Sequence, residues 1–176
     1  SSAEVSVIHE IVNTGKISAD LKVETILYNE EGMEVVSLAG STALQPGEEK
    51  TVTLTGNLHN AILWSPDTPY LYKMESRYQV GDGEKYLVNS EKVGVRKIEF
   101  DPDRGFFLNG KETKLKGVCV HHDGGCLGAA MTAEVWQRRL QLLKQSGCNA
   151  IRCSHNPHMP ELYELCDVMG FLMMDE

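Results

Sequence analysis

Residues 149–158 read NAIRCSHNPH, and whether they form a strand decides the fold. An apolar run stops there, and a basic residue, a thiol, a hydroxyl, a histidine and an amide follow in succession. Gly147 stands just before it, where a glycine commonly closes a helix. We read residues 149–154 as a β-strand that leaves a helix behind and runs out into Ser154, His155 and Asn156. Arg152 has the parity of Ser154, and Cys153 has that of His155.

Working outward, TAEVWQRRLQLLKQ (132–145) is a helix, with Trp136, Leu140 and Leu143 at i, i+4 and i+7. Thr132 is placed to cap it, and Glu134 sits favourably in its first turn. Downstream, Pro160 suits a first helical position, and Leu162, Leu165, Cys166 and Met169 form the next apolar stripe. Gly170 stops that helix, and FLMMD (171–175) is a further strand. Upstream, LKGVCV (115–120) is apolar without alternation, as expected of a strand buried on both faces. The order is β-α-β-α-β, and right-handed crossovers make the three strands parallel. FFLNGKETKL (106–115) precedes them as a hairpin about Asn109–Gly110.

Up to about residue 98 the period is 2 instead. In YLYKMESRYQV (70–80), Tyr70, Tyr72, Met74, Ser76, Tyr78 and Val80 share one face, and Lys73, Glu75, Arg77 and Gln79 share the other. VSVIHEIVN, LKVETILYN, EKTVTLTG and KYLVNSEKVGVRKI read as further strands, separated by the turns NTGK, NEEGM, QPGEE and GDGE. Short strands punctuated this way predict an antiparallel β-sandwich of immunoglobulin type.

The 176 residues carry a net charge of −8, with no stretch rich in Lys or Arg. Nucleic acid and anionic membranes are therefore poor partners, since both select basic surfaces. No apolar run approaches the roughly 20 residues of a membrane span. The five cysteines all lie in the second half and form no CxxC pair, which argues for buried free thiols. The chain opens without Met on SSAEVSV and stops on FLMMDE, so we expect a piece of a longer protein whose compartment signals lie elsewhere; a periplasmic or a cytoplasmic bacterial protein fits equally.

The chemistry collects at the carboxyl ends of the three parallel strands, where α/β folds bind ligands. The first runs out into His121, His122 and Asp123, the second into Ser154, His155 and Asn156, and the third into Asp175 and Glu176. Neighbouring His121 and His122 point to opposite sides, so at most one faces the pocket. Arg152 inside a barrel requires an acidic partner, with Glu176 one candidate. Three site classes fit these residues. A metal could draw on His121, His122, His155, His158 and Asp175. A Cys/His nucleophile would use Cys153, which sits within a buried strand. A sugar pocket would use His, Asn, Ser, Asp and Arg as donors and acceptors for hydroxyl groups.

The runs GFFLNGKETKLKGVCVHHD, LKQSGCNAIRCSHNP and ELYELCDVMGFLMMDE resemble the entry to the catalytic barrel of glycoside hydrolase family 2, and QPGEEKTVTLT, WSPDTPYLY and VGVRKIEF resemble the immunoglobulin-like domain before it. The resemblance covers essentially the whole chain. It implies a two-part fold: an immunoglobulin-like β-sandwich over 1–98, then over 99–176 an incomplete (β/α)8 TIM barrel of about two and a half βα units. It implies a retaining hydrolase of terminal β-D-glycosidic bonds, β-galactosidase foremost, with β-glucuronidase, β-mannosidase or a non-catalytic carbohydrate-binding or scaffolding module as alternatives. Both catalytic glutamates, acid/base and nucleophile, would lie beyond residue 176, so the chain alone is expected to be inactive, and Glu176 is not one of them.

By the same resemblance His121 and His155, with Asp123 and Asn156, bind the substrate. Arg152 orients the nucleophile, with Asp175 and Glu176 behind it. The partner is a β-galactoside-like carbohydrate. No metal site or cofactor is required, although the full enzyme could hold a divalent or monovalent cation. Self-association through the truncated barrel is expected. Two positions depart from the family pattern: Cys119 stands in Gly117-Val118-Cys119 where many members have Gly-Val-Asn, and Asn156 stands in Ser154-His155-Asn156-Pro157 where many have Ser-His-Tyr-Pro.

Overall fold

Period-2 alternation builds six strands: β1 (Ser2–Val12), β2 (Ala19–Tyr28), β3 (Glu34–Leu44), β4 (Glu49–His59), β5 (Tyr72–Val80) and β6 (Lys85–Val93). The structure, a computed structural model, describes residues 2–176. These six strands form one of its two units, made of the chain up to Ile62 together with Leu71–Val93. β1 pairs antiparallel with β4, and a four-stranded antiparallel sheet runs β3-β2-β5-β6.

Between the sheets lie Leu21, Val23, Leu27, Val36, Leu38, Leu54 and Leu58, all buried. Two strand glycines give the facing leucines their seats. A Cβ on Gly40 would stand 2.7 Å from Leu54, and one on Gly56 would strike Leu38. Thr25 is buried in the same core because its hydroxyl is satisfied, 3.0 Å from His9 Nε2 and 2.9 Å from Ser76 Oγ. His9 reaches Tyr78 through its other nitrogen at 3.1 Å, and burial pulls its pKa below the ordinary value.

Strand β3 is absent from the expected set because Ala39–Ala43 dilutes its apolar period, although Val36, Leu38 and Leu44 are buried on alternate positions. In β5 the expected solvent face is interrupted. Glu75 is buried, held by Lys73 and Arg77 on either side, which also keep its carboxyl below the usual range. Val80, expected on the apolar face, is 45% exposed.

The second unit comprises Leu63–Tyr70 and Gly94–Glu176. It opens on a small antiparallel sheet of β7 (Ile98–Asp101), β8 (Gly105–Leu108) and β9 (Lys111–Glu112). Asn109 and Gly110, with φ of 54° and 77°, form the tight β8–β9 turn that requires left-handed residues at both positions. Then follow β10 (Gly117–Val120), α1 (Ala133–Gln145), β11 (Ala150–Cys153), α2 (Pro160–Met169) and β12 (Leu172–Met174). The three strands lie parallel in the order β10-β11-β12.

Both helices pack on one face of this sheet, around Val120, Trp136, Leu140, Ile151, Cys153, Leu162, Cys166 and Phe171. Gly147 and Gly170, at φ of 85° and 73°, end the helices as expected. Two expectations fail here. Thr132 is the N-cap of α1 by backbone conformation, but its side chain makes no capping hydrogen bond to the backbone. And β10, at the edge of the three-stranded sheet, is buried only at Val120.

The segment Leu63–Tyr70 is fastened to this unit by its carbonyls and by the Trp64 side chain. Lys144 donates to the Pro66 and Gly170 carbonyls at 2.6 and 3.0 Å, Asn109 donates to the Trp64 carbonyl at 3.0 Å, and buried Trp64 gives its indole N–H to the Asp167 carbonyl at 2.8 Å.

Candidate active site at the strand ends

The parallel register sets Cys119 of β10 beside Arg152 of β11, and Arg152 beside Met174 of β12. Arg152 therefore leaves the sheet on the face opposite the helices. Its guanidinium meets Glu176, two residues past Met174: Nε donates at 2.9 Å, and Nη2 donates to the same carboxylate oxygen. The second carboxylate oxygen of Glu176 lies 3.2 Å from His155 Nδ1. The hydrogen bonds from Arg152, and then from His155, hold the Glu176 carboxyl below the usual range. This cluster is solvent-exposed, so it is a positioned set of charges rather than a source of stability.

His121 joins it, its ring edge-on to His155 with centroids 5.7 Å apart. His122 points the other way, as parity demands. Its ring stacks on His158 at 3.9 Å, and His158 in turn meets the Trp136 ring edge-on at 5.1 Å. His158 is buried and neither ring nitrogen has a hydrogen-bond partner among the described residues. Burial is the first cause of its lowered pKa, and the neighbouring His122 adds to it.

Asp175 accepts a hydrogen bond from Tyr163 at 2.8 Å, and Tyr163 accepts one from the His158 amide at 3.3 Å, so Asp175 fastens the loop after β11 rather than joining the Arg152 cluster. Asp123 is turned into its own loop, accepting from the Gly125 amide at 3.0 Å, while its backbone carbonyl takes a hydrogen bond from Arg139. Asn156 is exposed in the loop after β11 and takes no part in these contacts.

The site thus gathers His121, Arg152, His155 and Glu176, and leaves Asp123, Asn156 and Asp175 around it. Cys153 is fully buried, and burial pushes its thiol up to about 11, which removes it as a nucleophile. No group of three or more His, Cys, Asp or Glu side chains among the described residues is arranged to hold a metal ion. No helix of the described residues is long and apolar enough to cross a membrane.

Sequence reasoning passed over Tyr163 and Arg139, whose partners are backbone or loop groups invisible to periodicity. It noted Cys119 only as a departure, although the strand register sets it beside Arg152, and its Sγ lies 3.7 Å from Arg152 Nη1.

Residues 101–176 match glycosyl hydrolases family 2, TIM barrel domain, and residues 1–96 match glycosyl hydrolases family 2. The chain is 42% identical to the beta-galactosidase BoGH2A of Bacteroides ovatus over 94% of its own length and 19% of that protein. Among solved structures it resembles a glycosyl hydrolase family 2 member from Bacteroides cellulosilyticus, with a TM-score of 0.91 and 37% identity over 99% of this chain and 22% of the other. It also resembles a calcium-binding mutant of Bacteroides uniformis beta-glucuronidase 2, with a TM-score of 0.84 and 34% identity over 99% of this chain and 21% of the other. The chain therefore spans about a fifth of the length of these relatives. A β-sandwich followed by part of a TIM barrel, matched over residues 1–96 and 101–176 by one family, makes this chain a member of glycoside hydrolase family 2.

Proposed function

We propose that the protein carrying this chain is a retaining glycoside hydrolase that cleaves terminal β-D-glycosidic bonds, with β-galactosides as its preferred substrates. The supporting observation is the convergence of His121, Arg152, His155 and Glu176 at the carboxyl ends of three parallel strands, the rim where barrel enzymes bind substrate. The BoGH2A resemblance favours galactosides, and the likeness to a beta-glucuronidase makes glucuronides the competing class.

Retaining hydrolysis uses two carboxyl groups about 5–5.5 Å apart, one attacking the anomeric carbon and one protonating the leaving oxygen. In this reading both are glutamates from strands outside the chain, and Glu176 is neither. His121 and His155 donate hydrogen bonds to sugar hydroxyls. Arg152 keeps the nucleophile ionised, and Glu176 fixes Arg152 and His155 at the distances found here. Asp123 and Asn156, on the flanking loops, bind outer hydroxyls, and Asp175 shapes the loop after β11. The working domains are an immunoglobulin-like sandwich over 1–98 and the start of the barrel over 99–176.

In the intact protein, replacing His155 by Phe should lower kcat/KM for an aryl β-galactoside about 10- to 150-fold, since a hydrogen bond to a charged or reacting group is worth roughly 1.5–3 kcal/mol. A near-normal rate removes His155 from the site. The 176-residue chain by itself should hydrolyse no aryl glycoside and should self-associate through its open barrel strands. Turnover by the chain alone, or a monomer by light scattering at high concentration, contradicts these two statements respectively.

A further inference from the structure

We propose, resting on the glycosidase reading above, that Tyr163 is a positioning residue for that site, its one hydroxyl holding together the two chain segments that carry His155 and Glu176.

The two segments reach the rim separately. His155 lies in the loop between β11 and α2, and Glu176 lies past the last register pair of β11 with β12, Arg152 with Met174. They meet where His155 Nδ1 stands 3.2 Å from one Glu176 oxygen, while Arg152 Nε donates to the other at 2.9 Å. Both contacts are exposed, so by themselves they hold the segments weakly.

Tyr163 supplies a tie behind them. Helix α2 buries Leu162 and Cys166 in the core, which fixes its backbone. From that helix the Tyr163 hydroxyl accepts the His158 amide at 3.3 Å, in the loop that carries His155. The same hydroxyl donates to Asp175 at 2.8 Å, the residue before Glu176. An amide, a hydroxyl and a carboxylate thus form one directional chain ending on an anion, an arrangement in which each hydrogen bond polarises the next. The hydrogen bond to Asp175 is the first cause that holds the phenol above its ordinary range, so Tyr163 remains a donor at neutral pH. Without the hydroxyl, the loop and the end of β12 lose their shared tie, and His155, Glu176 and the Arg152 guanidinium that Glu176 holds can drift apart.

The test measures the intact protein on an aryl β-galactoside. Tyr163→Phe should lower kcat at least about fivefold and change KM less than about twofold, because Arg152 and its partners act on the reacting centre more than on ground-state binding. Tm should move by no more than about 2 °C, since water can replace the hydroxyl at exposed Asp175. Tyr163→Phe/Asp175→Ala should be no more than about twofold slower than Asp175→Ala, as for two residues acting as one unit. Asp175→Asn, which keeps an acceptor oxygen, should lose less than Asp175→Ala. By hydrogen-exchange mass spectrometry, the peptide holding the His158 amide should exchange at least about threefold faster in Tyr163→Phe. An unchanged kcat, an effect confined to KM, fully additive losses or a Tm loss beyond that limit overturns the positioning role, and unchanged exchange overturns the tie itself. A parent protein without glycosidase activity overturns the functional reading instead, and the exchange measurement still scores the tie.

Discussion

Replacing His158 by Phe should stabilise the fold, an unusual outcome for a histidine beside a proposed active site. The ring is buried against His122 and Trp136, and both nitrogens are without hydrogen-bond partners among the described residues. The nearby Val120 carbonyl favours the charged ring, but it makes no hydrogen bond of regular geometry with either ring nitrogen and already accepts the Ser154 amide at 2.9 Å. Each unsatisfied buried polar atom costs about 1–3 kcal/mol, so the two together cost at least about 2 kcal/mol. The larger phenyl ring returns about 1 kcal/mol as overpacking, limited because His122 on one side is exposed and free to shift. The net expectation is a gain of about 1 kcal/mol, read as a rise in Tm of about 2–4 °C for a chain of this size.

The pH dependence gives a second readout. The native pKa of His158 lies below the unfolded value near 6.5, so between the two the unfolded chain binds more protons. That contribution to stability is complete above about pH 6.5 and is lost as pH falls through the native pKa. A phenyl ring does not titrate, so the advantage of the variant should widen from pH 7.5 to pH 5.5 in thermal melts followed by circular dichroism. His9, also lowered by burial, leaves both proteins some acid sensitivity. A lower Tm for the variant at pH 7.5 would refute the reasoning, showing that the nitrogens are served by water and the histidine is satisfied.

Glu176→Gln in the intact protein should lower kcat/KM about tenfold while moving Tm by no more than about 2 °C, because exposed ion pairs position groups without adding much stability. An unchanged rate would show that Arg152 and His155 do not need it. Gly117→Ala should destabilise the chain by about 1–3 kcal/mol in urea titration, since the new Cβ would strike the Ala150 carbonyl, a backbone group that cannot rotate away. A loss below about 0.5 kcal/mol would mean that β10 and β11 separate freely.

The sequence made the second half legible because three signals coincide there: glycines where the chain must turn left-handed, stripes at helical spacing, and polar residues gathered at strand ends. Asn109–Gly110, Gly147 and Gly170 each behave as their chemistry dictates. Strand β3 was less legible because its Gly40 reads as a weakness, yet it is the seat for Leu54. Glu75 was assigned to solvent by parity alone, and parity does not reveal that Lys73 and Arg77 enclose it. At the site, Arg152, His155 and His121 were readable from strand ends and motif. The places of Asp123 and Asp175 were not, because local loop partners, Gly125 and Tyr163, capture those carboxylates. Cys119 gained meaning only through its register with Arg152.

The central claim concerns stereochemistry, and proton NMR of the first product tests it directly. The intact protein acting on an aryl β-D-galactoside should release the β-anomer first, with the α-anomer appearing only through slower mutarotation, because two displacements, first by the nucleophilic carboxylate and then by water, occur in succession at one carbon. Initial release of the α-anomer, or no release of galactose, would contradict the account.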